Sequence, residues 1–300
     1  MEFIDAKTIV TNGRPDSNYL QAEYVMNIYR GCDHGCIYCY ARSCYYEKTN
    51  NFEIIRAKKN ALQIIRDDLC RKVKPGVVIT GSVSDPYNKL EEEHKLTRNA
   101  LELINAFDFG ICIVTKSSLV TRDVDVLEDI KTHSPASVNF SITCTDDETC
   151  QKVEPHVSLT SERFKAIEKL AKNNLIVGVL IDPVIPYITD TLDNVRELVK
   201  KAKYHGAKYV HISTLVTMAD IQRDYFYQEA EKHYPGITEK YRQRYKSYYR
   251  CWSDRSKKLW DVFAQTCEAE GLIYNMRLAN RLIRQGYDDL ASFDVLGKHR

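Results

Sequence analysis

Apolar residues in this chain come in short continuous runs, separated by longer stretches with helical periodicity. Val77-Val78-Ile79-Thr80, Gly110–Thr115, Ser137–Ile142, Leu175–Ile181 and Tyr209–Ser213 are such runs, and Tyr24–Ile28 is an earlier one. Between them, Ala57–Lys72, Glu91–Phe107, a segment from a Thr121 cap to Lys131, Ser161–Lys172 and Asp190–Tyr204 repeat apolar positions at helical spacing. Continuous apolar strands alternating with amphipathic helices are what a parallel sheet buried on both faces requires. Six strand–helix steps predict an α/β protein with a partial (β/α)6 TIM-type barrel over residues 23–215. Residues 1–22 read as an irregular N-terminal arm carrying the turn signal Asn12-Gly13-Arg14-Pro15-Asp16. Ala219–His233, Thr238–Trp260 and Asn275–Arg284 read as helices of a C-terminal extension, 216–300.

Right-handed crossovers bring all the loops that follow strands to one rim, where barrel enzymes keep their chemistry. Those loops read Gly81-Ser82-Val83-Ser84-Asp85-Pro86-Tyr87, Thr115-Lys116-Ser117, Ser141-Ile142-Thr143-Cys144, Asp182-Pro183 and Ser213-Thr214. Ser and Thr at strand ends routinely cap helices or satisfy backbone amides. Lys116, a charge placed directly after an apolar strand, is less easily explained that way.

Composition narrows the class. A hydrophobic share of 44% and a charged share of 28% are ordinary for a globular protein, and a net charge of +2 predicts no polyanionic partner by itself. No apolar run is long enough to cross a bilayer, so no membrane association is expected. The N-terminus carries no basic and apolar leader, so its ten cysteines are expected as free thiols in a reducing cytoplasm.

Three of those cysteines stand out. Asn27-Ile28-Tyr29-Arg30-Gly31-Cys32-Asp33-His34-Gly35-Cys36-Ile37-Tyr38-Cys39-Tyr40-Ala41-Arg42 sets Cys32, Cys36 and Cys39 in Cys-x3-Cys-x2-Cys spacing, with glycines that allow the thiolates to converge. A zinc site would need a fourth ligand, for which His34 or Cys44 is available. A redox pair of Cys36 and Cys39 would leave Cys32 unexplained. A four-iron, four-sulfur cube normally takes four thiolates. Three would leave one iron open, the mark of a reactive rather than a structural site.

With Tyr38 just before its last cysteine, this motif resembles that of the radical S-adenosylmethionine (SAM) enzymes. Within them, Gly31–Arg42, Thr80–Thr97, Val114–Asp123, Ser141–Pro155 and Gly178–Asp190 resemble the spore photoproduct lyase-like family, also called DNA-repair photolyases. The resemblance implies a 4Fe-4S cluster on Cys32, Cys36 and Cys39, with SAM chelating the open iron. It implies reductive cleavage of SAM to a 5′-deoxyadenosyl radical that abstracts hydrogen from substrate. Ser84 and Lys116 match positions that contact the methionine part of SAM, as does Ser141, and a lysine suits a carboxylate. Asp85 falls in the segment that stands where the superfamily has Gly-Gly-Glu, and is taken with Ser84 as cofactor-binding. Tyr38 would lie near the adenine and Tyr40 would assist radical relay. Spore photoproduct lyases carry a hydrogen-donating cysteine in Cys-Thr-Ser-Asp; here Ser82-Val83-Ser84-Asp85 puts Ser82 in its place. Cys144, just past a strand end, is a candidate hydrogen donor. An electron donor such as flavodoxin or ferredoxin is implied.

The remaining cysteines read as structural. Cys70, Cys112 and Cys267 are expected in the core, and no second spaced cluster is present. Thr238–Trp260 interleaves Lys and Arg with Tyr241, Tyr245, Tyr248, Tyr249 and Trp252. It reads either as a nucleic-acid surface or as one helix whose aromatic stripe packs on the barrel; the spacing favours the helix. Nucleic acid is therefore one candidate substrate, and a peptide or small molecule another. A non-catalytic, metal-stabilised nucleic-acid-binding protein is the reading from a different class.

Overall fold

The computed structural model describes residues 2–13, 19–46, 51–285 and 287. The Arg14-Pro15-Asp16 part of the turn signal, and residues 288–300 of the C-terminal segment, lie outside the described residues. The strands are β1 (Glu2–Ile4), β2 (Val10–Asn12), β3 (Tyr24–Met26), β4 (Tyr29–Arg30), β5 (Arg56–Lys58), β6 (Val77–Thr80), β7 (Gly110–Thr115), β8 (Ala136–Ser141), β9 (Ile176–Ile181), β10 (Tyr209–Ile212), β11 (Leu215–Thr217) and β12 (Arg250–Trp252). The α-helices are α1 (Ala61–Cys70), α2 (Lys89–His94), α3 (Leu96–Ala106), α4 (Val124–Lys131), α5 (Asp147–Val153), α6 (Thr160–Lys172), α7 (Leu192–Tyr204), α8 (Asp220–His233), α9 (Ile237–Tyr245), α10 (Ser256–Glu270) and α11 (Met276–Ile283).

The main sheet runs β10-β9-β8-β7-β6-β3-β2. Its six strands from β3 to β10 are parallel, and β2 pairs antiparallel with β3 on the edge. This is the expected partial barrel, open between β10 and the β3–β2 edge. Ile111, Ile113, Val138, Phe140, Val177 and Val179 are buried against the surrounding helices, while Val77, Ile79, Cys112 and Leu180 pack on the inner side. Burial on both faces explains why these strands read as unbroken apolar runs.

The open side is closed by the two ends of the chain. Tyr19 packs edge-on against His211 of β10, with ring centroids 4.9 Å apart. Leu20 and Ala22 join the inner core. Asn280 of α11 clips this segment in place: its amide nitrogen donates to the Tyr19 carbonyl at 2.6 Å, and its oxygen accepts from Gln21 N at 3.0 Å.

Several elements differ from expectation. Arg56–Lys58 pairs with β1 and β4, so the helix expected from Ala57 starts only at Ala61. The helix expected over Glu91–Phe107 breaks at Lys95, which has φ +50°. The fully buried carboxylate of Glu91 accepts from Thr97 N at 2.9 Å and Arg98 N at 3.2 Å, which satisfies N–H groups exposed by the new start of α3. Thr121 lies inside a 3₁₀ turn, Ser118–Asp123, rather than capping α4. The single helix expected over Thr238–Trp260 is also broken. Tyr241 and Tyr245 of α9 are buried, but the chain leaves the helix at Lys246 and forms β12, paired antiparallel with β11. Tyr248, Tyr249 and Trp252 are consequently exposed. Cys112 and Cys267 are in the core as expected, whereas Cys70 is exposed at the end of α1.

Candidate active site

The cysteine loop follows β4 and is held from two sides. Gly31 has φ +81°, and a Cβ there would lie 2.3 Å from the Ile54 carbonyl oxygen, so only glycine lets the chain pass. Cys32 N donates to Phe52 O at 2.8 Å. On the other flank, Ile37 N donates to Val153 O at 3.0 Å and His156 N to His34 O at 3.2 Å. Cys32, Cys36 and Cys39 thereby line one cavity of about 370 Å³, together with Tyr38, Tyr40, Asp85, Lys116 and Asp182. All ten cysteines are free thiols.

A buried charged network lies behind this cavity. Tyr38 donates its phenol to Glu154, and Arg163 pairs with Glu154 at 2.5 Å, both charged side chains being fully buried. Arg163 also donates to Ser141 O at 2.6 Å and Ser158 O at 2.9 Å. Burial opposes the Glu154 charge, but Arg163, Lys116 and Tyr38 outweigh it and hold its pKa below the ordinary value. Burial likewise opposes the Lys116 charge, yet Cys36, Glu154 and Cys39 prevail and raise its pKa. The Lys116 ammonium lies 5.8 Å from the centre of the Tyr38 ring. Burial pushes the Cys36 and Cys39 thiols up, the other thiols of the loop add to this, and Lys116 opposes it.

Asp85 ties three segments together. One carboxylate oxygen accepts from Thr115 Oγ1 at 2.7 Å and Tyr87 N at 2.9 Å. The other accepts from Lys116 N at 2.8 Å and lies 3.5 Å from His34 Nδ1. Its oxygens are thus engaged within the protein, which orients the Lys116 backbone. Gly81, with φ +92°, lets this loop approach β7 so closely that a Cβ would sit 1.8 Å from Val114 O.

A second cavity of about 400 Å³ adjoins the first and shares Tyr40, Gly81, Ser82, Lys116 and Asp182 with it. Asn12, Tyr19 and Ser141 line this inner chamber over an apolar floor that includes Ile79, Val114 and Leu180. Ser141 Oγ donates to the Asp182 carbonyl at 3.1 Å. Tyr40 donates its phenol to Ser82 O at the junction of the two chambers.

Not every expected residue reaches these chambers. Ser84 is buried but lines neither. Cys144 also lines neither; it sits near Thr160 and Asp146 and borders a separate pocket with Thr145 and Asn194. Cys44 is exposed and bonded to Asp220. Two residues were given no site role by the sequence: Asp182, already on the expected rim, lines both chambers, and Glu154 stands behind them. Asp182, at the end of β9 and joined to Pro183 by a cis bond, is buried, and burial raises its pKa. Glu154 falls inside the Ser141–Pro155 segment that carries the family resemblance but was assigned no role there.

One close grouping of ligand atoms among the described residues is Cys32, Asp33 and His34, within 4.8 Å of one another. It leaves out Cys36 and Cys39, which face the same cavity. Three soft thiols in one buried chamber, beside a fixed ammonium, suit an iron–sulfur group better than a mixed carboxylate–imidazole site.

The chain is 26% identical over 241 residues to an uncharacterized protein of Mycobacterium tuberculosis, covering 78% of this chain and 71% of that one. It is 34% identical over 173 residues to an uncharacterized protein of Methanocaldococcus jannaschii, covering 56% and 63% of the two chains. A spore photoproduct lyase point mutant superposes with TM-score 0.65 at 18% identity, over 89% of this chain and 79% of that one. Spore photoproduct lyase complexed with dinucleoside spore photoproduct gives 0.61 at 17% identity, over the same shares. The radical SAM methyltransferase TsrM from Kitasatospora setae gives 0.53 at 10% identity, over 82% and 51%. These likenesses establish the shared fold. The family model of the Radical SAM superfamily matches residues 26–199, which include the cysteine loop and strands β6 to β9, and the chain belongs to that superfamily.

Proposed function

We propose that Cys32, Cys36 and Cys39 hold a 4Fe-4S cluster with SAM at its open iron, and that the substrate's reacting carbon enters the adjoining inner chamber. The observation that carries this reading is the shared wall: the residues between the thiol-lined cavity and the inner chamber belong to both. Bound there, the cluster and SAM would supply the chemistry of hydrogen abstraction through a 5′-deoxyadenosyl radical. The protein's part is orientation and exclusion of water. Lys116, held charged beside two of the thiols, meets the SAM carboxylate as a point charge. Tyr38, fixed by Glu154, offers its ring to the adenine. Ser141 faces the chamber directly, whereas Asp85 acts by holding the Lys116 backbone. Tyr40 assists radical relay, a reading supported by its position at the junction of the two chambers.

The electron comes from a donor of the flavodoxin or ferredoxin kind, and the free thiols suit a reducing cytoplasm. Among the described residues, no helix is long and apolar enough to cross a membrane. The substrate class this reading favours is nucleic acid. Tyr249 lines the outer cavity, and Arg250 and Trp252 stand exposed on the adjacent ribbon, opposite Thr217 and Leu215 of the cavity wall. Cations and aromatic faces side by side suit phosphates and bases. A peptide or small molecule would use the inner chamber alone.

The test is anaerobic reconstitution with iron and sulfide, followed by incubation with SAM, reductant and candidate substrates. Broad visible absorption and substrate-dependent 5′-deoxyadenosine above the uncoupled background are expected. A colourless, zinc-loaded protein that forms no 5′-deoxyadenosine would instead favour the non-catalytic binding protein.

A further inference from the structure

Arg42 closes the one-turn 3₁₀ segment Tyr40–Arg42 that begins immediately after Cys39. Its side chain is 7% exposed. One terminal nitrogen pairs with Glu53. The guanidinium lies 3.6 Å from the centre of the Tyr225 ring on α8 and 5.2 Å from that of Phe52. Phe52 in turn packs with Cys32, Ala41 and Cys39. Two further donors, Nε and Nη2, are buried and have no hydrogen-bond partner among the described residues.

Buried donors are almost always satisfied, so a guanidinium with two idle N–H groups asks for an acceptor. Two rings hold the guanidinium plane, which fixes the direction of those donors and lowers the cost of using them. Glu53 takes only one nitrogen and is itself half exposed. Sulfur ligands and sulfides are acceptors, and hydrogen bonds to them, like nearby positive charge, raise the reduction potential of an iron–sulfur centre.

We propose that Arg42 tunes the cluster directly, its unused N–H groups donating to the sulfur shell around Cys39 and raising the cluster's reduction potential. This rests on the cluster reading above, and concerns a residue outside both chambers and outside the ligand set. A purely structural Arg42 would only staple α8 and Glu53 to the loop, and its replacement would leave the potential where it was.

The experiment compares full-length wild type, Arg42→Lys and Arg42→Gln after anaerobic reconstitution, measuring iron and sulfide content and the midpoint potential by redox titration. Both variants are expected to keep wild-type iron while the midpoint moves to more negative potential. The shift should be larger in Arg42→Gln, which loses the charge, than in Arg42→Lys, which keeps charge but not the planar fork. Wild-type iron with an unmoved potential in both variants overturns the proposal. So does loss of iron from Arg42→Lys with an intact circular dichroism spectrum, because the residue would then build the loop rather than tune the cluster. A wild-type chain that takes up no iron sinks the cluster reading and this inference together, whereas a wild-type cluster with unmoved variants sinks this inference alone.

Discussion

Tyr38 and Glu154 are separated by 116 positions in sequence and meet behind the cysteine loop, where the phenol donates to the carboxylate. Arg163 completes the contact from the opposite side at 2.5 Å. The loop that presents the thiols is therefore anchored by a charge that has no access to water.

That anchor should be visible in stability. Arg163→Met leaves Glu154 buried and unpaired, and breaking such a pair typically costs about 3–5 kcal/mol. Tyr38→Phe removes one hydrogen bond to a charged group while the ion pair survives, for a loss of about 1.5–3 kcal/mol. Denaturant unfolding of the two variants measures both. A loss below about 1 kcal/mol in Arg163→Met would mean that the pair contributes no more than a surface contact.

The network also marks the limit of what the sequence discloses. Strands β6 and β7 are bounded as expected because every residue of Val77–Thr80 is buried, and a run buried on both faces has no period to misread. The thiol spacing of Cys32, Cys36 and Cys39 is local, and so survives into the structure intact. Helix breaks are another matter. Nothing near Lys95 is a glycine or proline; the break is stabilised by Glu91 capping a helix that starts beyond it. The basic, aromatic stretch after Thr238 keeps helical spacing through Trp252, yet β11 offers an unpaired edge, and pairing with it prevails over the periodicity. Asp182, on the expected rim, and Glu154, inside a resembling segment, received no site role from the sequence because their partners lie on other strands and helices.

Cluster assembly should follow the ligand count. Alanine at Cys32, Cys36 or Cys39 is expected to abolish iron binding, while Cys44→Ala retains it. Cys44 is exposed and engaged with Asp220, away from the thiol cavity. Iron and sulfide analysis of the four variants decides the matter; cluster loss in Cys44→Ala would refute the open-iron arrangement.

Lys116 should separate cofactor binding from cluster binding. Lys116→Met is expected to weaken SAM affinity with iron content unchanged. Losing a charge-assisted hydrogen bond in a dry site costs about 1.5–3 kcal/mol, or roughly 10- to 150-fold. Equilibrium binding to the reconstituted variant is the measurement. Wild-type affinity would leave Lys116 as a counter-charge for Glu154 and nothing more.

His211 predicts a pH dependence at the closed side of the barrel. Burial beside Tyr19 lowers its pKa to about 4, against about 6.5 in an unfolded chain. Between those values the unfolded state takes up a proton that the folded state refuses, so stability rises with pH across that window. His211→Gln should flatten that rise without altering the behaviour above pH 7. Urea unfolding of both proteins at pH 5 and pH 7 tests it, and an equal difference between the two pH values in each would remove His211 as a contributor.

The last prediction concerns the reaction outcome: this protein is not expected to repair spore photoproduct efficiently. Repair by a radical route needs a hydrogen atom returned to the product carbon radical, and a thiol is a good donor because its S–H bond is weak. Ser82 stands where the lyase motif carries that cysteine and lines both chambers, but its O–H bond is much stronger, so donation to a carbon radical is unfavourable. Among the described residues, the only cysteines lining either chamber are the three of the loop. Cys144 is buried at a separate pocket and cannot take over without the loop moving. Thymine radicals formed here would therefore go to side products. Reconstituted enzyme given SAM, reductant and a dinucleotide spore photoproduct, with restored thymine measured by chromatography, is the direct assay. Clean multiple-turnover repair by the wild type would defeat the argument. Repair gained in Ser82→Cys would show that the chamber already accepts the lesion and that the missing hydrogen donor was the whole deficit.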